Sequence, residues 1–108
     1  MKVSREDVLT MFRVWQSDGA LLRCDFSSER FAACLRARVR EITDSEIKLW
    51  SDDTFSELVL RVTSDLRFEY ADPRDFPHEA TVFVRGLEFS WPNKDTIRFL
   101  ELVERSGA

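Results

Sequence analysis

Val8, Met11, Phe12 and Trp15 are spaced three and four residues apart, whereas from Ala20 onward the apolar positions recur at every second residue. The first spacing is that of one face of an α-helix, and the second is that of strands buried on one side. The pattern predicts a helix over about residues 4–17. Ser4 stands at its N-cap and Asp7 at the reciprocal capping position, with Val3 and Val8 placed to clasp the entry. Glu6 and Asp7 put negative charge where the helix dipole favours it, and Gly19 can take the left-handed conformation that ends the helix.

A series of short strands follows, over about residues 20–104. Ala20, Leu22, Cys24 and Phe26 share one face, and "SSER" turns the chain. Phe31, Ala33, Leu35, Ala37 and Val39 then share the inward face of the next segment, with Arg36, Arg38 and Arg40 on the other. Phe31, Leu35, Val39 and Ile42 also fit a helix. A helix would put Arg38 inside the apolar stripe, so the strand is the better reading of Phe31–Ile42. "SEIKLWS" directs Ile47 and Leu49 inward and Glu46, Lys48 and Trp50 outward. After the "SDDT" turn, Leu58, Leu60 and Val62 point in, and Glu57, Val59 and Arg61 point out. Leu66, Phe68 and Tyr70 continue the inward set. "ATVFVRGLEFSW" reads as a long strand bent at Gly86, "PNKD" as a turn, and "TIRFLELVE" as the returning strand.

The 108 residues form one domain on this reading, mainly β, with an N-terminal helix followed by an antiparallel meander that closes into a small barrel. The other arrangement open to the same pattern is α+β, an open antiparallel sheet with one packed helix. One stretch bears on the choice. "VFVRGLEF", from Val82 to Phe89, resembles the second signature of Sm-like proteins, and the whole resembles the small barrels of the Sm-like and SH3-like families. The resemblance implies an RNA-binding role for Arg85 and Gly86 in a ring of subunits. At the glycine position of the first Sm signature this chain has Ala37, and of that signature's Asp and Asn it offers only the Asp, as Asp44.

Composition narrows the function. The formal net charge is −4, distributed unevenly. Residues 1–40 hold eight basic and five acidic side chains, net +3; residues 41–80 hold four and eleven, net −7. The overall field repels a polyanion, which leaves only a local basic face for nucleic acid. Such a face exists in the row Arg36, Arg38 and Arg40, with Trp50 as a stacking platform and Arg85 as a further contact. The simpler reading of that row is a lattice of cross-strand ion pairs with Glu46 and Glu57.

No glycine-rich phosphate loop, nucleophile elbow or zinc-protease helix occurs in the sequence. The single histidine, His78, sits in "EYADPRDFPHEA" without a nucleophile motif beside it, and reads as a loop residue. One histidine and two cysteines are too few for a usual metal site. With "SSER" pairing Phe26 to Phe31, Cys24 lies opposite Ala33 and Cys34 opposite Arg23. The two thiols are then on opposite faces and stay free. No apolar run is long enough to span a bilayer, and the default location is the cytoplasm.

These features point to a non-catalytic interaction or scaffold module that self-associates, its partner a second copy or another protein, with no cofactor, metal or membrane partner. Trp50, Phe55, Val59 and Trp91 are the candidate protein interface. The alternative is a nucleic-acid-binding small barrel using Arg36, Arg38, Arg40 and Arg85.

Overall fold

The computed structural model describes residues 3–71 and 83–102. It is mainly β, with one helix and seven antiparallel strands. The helix α1 (Arg5–Asp18) is followed by β1 (Leu22–Ser27), β2 (Ala32–Ile42), β3 (Glu46–Ser51), β4 (Ser56–Arg61), β5 (Arg67–Ala71), β6 (Phe83–Ser90) and β7 (Thr96–Leu102). The helix begins where the capping residues place it. Ser4 is extended, and its hydroxyl accepts from the Asp7 N–H at 3.1 Å. Gly19 ends the helix at φ 64°, a conformation that is costly for a side chain with a Cβ.

The strands lie in the order β4-β3-β2-β1-β7-β6-β5. β4 and β5, consecutive in the chain, are therefore the two edges of the sheet. Residues 62–66 join them, and a chain of that length reaches roughly 20 Å. A flat sheet of seven strands would hold its edges about 29 Å apart. The sheet must curl, and α1 fills the hollow. The sheet is nonetheless not closed into a barrel, which corrects the small-barrel expectation in favour of the open α+β arrangement. β4 and β5 do not pair with each other, so among the described residues each has a neighbouring strand on one side only.

Phe12 sits at the centre of the hollow. Its ring makes edge contacts with Trp15 at 5.0 Å, Phe99 at 5.1 Å and Phe89 at 6.0 Å between centroids. Val8, Phe12 and Trp15 are fully buried in one core with Leu22, Leu49 and Leu87 from three different strands. Large core aromatics of this kind contribute most of the burial energy per residue.

β2 is a strand over its whole length, which decides the helix-or-strand ambiguity, and it bends. Its first half pairs with β1 and its second half with β3. A register shift between Val39 and Glu41 inserts one extra residue, so Arg40 and Glu41 share the outward face and Ile42 returns inward beside Ile47. That bulge is why Val39 and Ile42, of opposite parity, face the same side.

The β1–β2 pairing differs from the expected one by two residues. Phe26 pairs with Ala33 and Cys24 with Leu35. Phe31 belongs to the loop, where the Ser28 N–H donates to its carbonyl at 2.9 Å and the Ser28 hydroxyl receives its N–H at 3.2 Å. Phe31 is consequently 63% exposed rather than inward, although its ring lies 5.5 Å from that of Phe26. A shift of two preserves face, so Cys24 and Cys34 remain on opposite sides and both are free. Tyr70, expected inward, is 45% exposed at the edge strand β5. Of "EYADPRDFPHEA", residues 69–71 belong to β5, and the rest, with His78, lies outside the described residues.

Candidate functional site

The outward face of β2 carries Arg36, Arg38 and Arg40 together, and Trp50 is the register partner of Arg38 on β3. The Arg40 guanidinium lies 5.2 Å from the Trp50 ring centre, a cation–π contact. The indole N–H of Trp50 donates to Asp52 at 2.9 Å. Each arginine meets an acid. Arg36 Nε is 2.9 Å from Asp53, an Arg38 nitrogen is 3.9 Å from Asp52, and an Arg40 nitrogen is 3.9 Å from Glu57. Arg38 also donates to the carbonyl of Gly19 at 3.1 Å, and Gln16 donates to the carbonyl of Arg40 at 2.9 Å. These two bonds tie the C-terminal end of α1 to β2.

Of the expected partners, Glu57 takes up Arg40, whereas Glu46 pairs with Arg61 at 3.4 Å. The other acids come from the β3–β4 turn, Asp52 and Asp53. A reading by alternation assigns partners across strands. It overlooks a turn whose short acidic side chains fold back over the neighbouring strand. With three arginines facing three acids, the ridge has little net charge to offer a phosphate backbone. The pairs are exposed, so each contributes only a few tenths of a kcal/mol.

Arg85 stands apart from that ridge. It lies on β6, its Nε 2.6 Å from Oε1 of Glu101, and the same oxygen receives the buried indole N–H of Trp15 at 2.6 Å. Gly86 is buried between Ala71 and Leu100, which flank it in register.

The candidate interface residues divide into two groups. Trp50 is held by Arg40 and Asp52. Phe55 is at the β3–β4 turn, not on a strand; it is 82% exposed and has φ 50°. Val59, 40% exposed on β4, and Trp91, at the β6–β7 turn, line one cavity of about 340 Å³ with Phe26 and Ile97. Leu58, Val59, Leu60 and Arg61 all line it. Consecutive strand residues point to opposite faces, so a cavity touching all four runs along the edge of β4 rather than over either face. One wall is thus strand backbone, and the other is apolar. The proximity of Trp91 to Val59 depends on the curl of the sheet and leaves no local trace in the sequence.

Among the described residues, no group of three or more His, Cys, Asp or Glu side chains converges as metal ligands would, and no helix is long and apolar enough to cross a membrane. No family model matches the chain, and no curated protein or solved structure is significantly similar to it.

Proposed function

We propose that the protein is a non-catalytic interaction module that self-associates. The observation carrying this reading is the edge of β4, unpaired among the described residues and bordered by the apolar cavity of Phe26, Trp91 and Ile97. An unprotected edge beside apolar surface is a template for a further strand. The exposed Phe55 and Val59 on the same hairpin support the reading. Sedimentation velocity over a concentration series tests it. A species that grows with concentration is expected, and a monomer throughout would reject it.

A second reading, a nucleic-acid-binding module, is supported by the Arg40–Trp50 stack within the arginine row. It requires Arg36, Arg38 and Arg40 to exchange carboxylate partners for phosphates. Labelled RNA titrated across a salt series tests it. Phosphate contacts make affinity fall steeply with salt, and Arg36→Gln and Arg38→Gln would then each flatten that slope.

A further inference from the structure

The free edge of β4 specifies its own partner. The Val62 N–H donates to the Ser45 carbonyl at 2.8 Å, one step beyond the Glu46–Arg61 pair of the β3–β4 ladder. Antiparallel pairs alternate between those that exchange backbone hydrogen bonds and those that do not. Counting back from Val62, Leu60 and Leu58 bond to β3. Glu57, Val59 and Arg61 therefore direct their N–H and C=O groups away from the sheet. Among the described residues these groups have no backbone partner.

We infer that this edge pairs with β4 of a second copy of the chain, antiparallel and centred on Val59. The inference rests on the self-association proposed above and assigns its surface. An antiparallel strand can satisfy the three outward positions only if it presents three outward positions in the same alternation. β4 itself does so in the register that sets Val59 against the partner's Val59. Glu57 then faces the partner's Arg61, and Arg61 faces the partner's Glu57. All the outward backbone groups of the three residues are paired, and two opposite-charge cross-strand pairs flank a central apolar contact. Registers displaced by two residues leave one position unpaired on each chain and set Val59 against a charge. Those displaced by one residue set outward groups against groups already bonded to β3.

The apolar cavity fits the same arrangement. A two-fold axis normal to the sheet keeps the concave sides of both copies on one side. The partner's Leu58 and Leu60 then point toward the space bordered by Phe26, Trp91 and Ile97. The interface is the same patch on both copies, so it closes as a dimer rather than growing into a fibre. The other edge is less available. Val3, just before the helix, donates its N–H to the Phe68 carbonyl of β5 at 3.4 Å. The centre of β4 is Leu58-Val59-Leu60, with no proline, lysine or bulge of the kind that blunts an edge.

Sedimentation and disulfide capture test the assignment. The wild type is expected to be a dimer. Arg61→Glu sets like charges opposite each other twice and should weaken the dimer about tenfold. Combining it with Glu57→Arg restores opposite charges and should recover the dimer. On a Cys34→Ser background, Val59→Cys should form an intermolecular disulfide under mild oxidation. Cα atoms of such a pair stand about 5.5 Å apart, within disulfide range. Thermal melts of each variant establish that it is folded. A dimer indifferent to both charge variants and uncaptured at residue 59 overturns the β4 assignment while leaving self-association intact. A monomeric wild type overturns both.

Discussion

The indole N–H of Trp15 ends on Oε1 of Glu101 at 2.6 Å, joining the fully buried end of the helix face to the last strand of the sheet, β7. A tryptophan can be wholly buried only where its N–H finds an acceptor, because an unmet buried donor costs about 1–3 kcal/mol. Glu101 supplies that acceptor and is held in place by Arg85. Glu101→Ala should therefore cost about 2–3 kcal/mol in urea melts. Glu101→Gln keeps an oxygen for the indole and should cost about 1 kcal/mol or less. Arg85→Ala should also stay near 1 kcal/mol or below, because the arginine side chain is 42% exposed and its ion pair is screened. Equal losses for the Ala and Gln variants would mean that charge, not the indole bond, is what Glu101 provides.

Gly86 is explained by close approach. A Cβ built there would stand 2.7 Å from Leu100 Cδ2, 2.8 Å from the Phe99 carbonyl oxygen and 3.1 Å from Ala71 Cβ. The leucine tip can swing away, but the carbonyl belongs to the neighbouring strand and cannot. Gly86→Ala should destabilise by about 1–3 kcal/mol, the range for overpacking a filled site. Adding Leu100→Ala should recover none of this, since it leaves the backbone clash and removes a buried side chain. A neutral Gly86→Ala variant in the same urea melts would show that β6 has room to shift.

Local signals carried the helix. Ser4, Gly19 and the stripe Val8–Phe12–Trp15 all act within a few residues, and each stands where its chemistry requires. The faces of the strands were also legible, because a side chain's direction survives a register error of two: Cys24 and Cys34 lie on opposite faces although their partners differ from those expected. Three features escaped. The bulge at Arg40 and Glu41 switches the parity of Ile42 without a glycine to mark it. The Ser28 hydroxyl draws Phe31 into a loop through hydrogen bonds that alternation does not record. The β1–β7 pairing joins strands some seventy positions apart, and with it comes the curl that brings Trp91 to β4. For the arginine row, alternation shows the face but only the Arg40–Glu57 part of the pairing, since Asp52 and Asp53 reach the row from a turn.

The two thiols should differ in reactivity and in their effect on alkaline stability. Burial, then the neighbouring Asp25 charge and then Cys34, push the Cys24 thiol up from 9.0 to about 12. Cys34 is raised too, chiefly by burial, but its side chain is exposed. Alkylation of the native protein should label Cys34 and spare Cys24. The sign of the linkage follows from the raised value. The unfolded chain releases the Cys24 proton near pH 9 and the folded one holds it to about pH 12. The contribution is fully present below pH 9 and is lost as pH rises through that window. Its slope approaches about 1.4 kcal/mol per pH unit. Urea melts at a series of pH values should show Cys24→Ala falling less steeply than the wild type across the window. Parallel slopes would place the thiol in contact with water.

Phe55 combines two costs. Its φ of 50° places a bulky side chain in the left-handed region, and the ring is 82% exposed. Left-handed conformations of non-glycine residues cost on the order of 1–3 kcal/mol, and exposure returns none of that through burial. Glycine adopts the same backbone without a Cβ clash, at an entropic cost of about 0.5–1 kcal/mol. Phe55→Gly should therefore raise the stability of the monomer by about 1 kcal/mol, read as a higher urea midpoint at unchanged slope. A ring kept at such a position is explained if it is covered on association. The same variant, examined by sedimentation, should then dissociate more readily than the wild type while melting later as a monomer. Opposite movements of the two measurements would set Phe55 at the margin of the β4 interface, to which its hairpin belongs. A variant that melts later and associates as the wild type does would remove Phe55 from that interface and leave its strain without a partner to explain it.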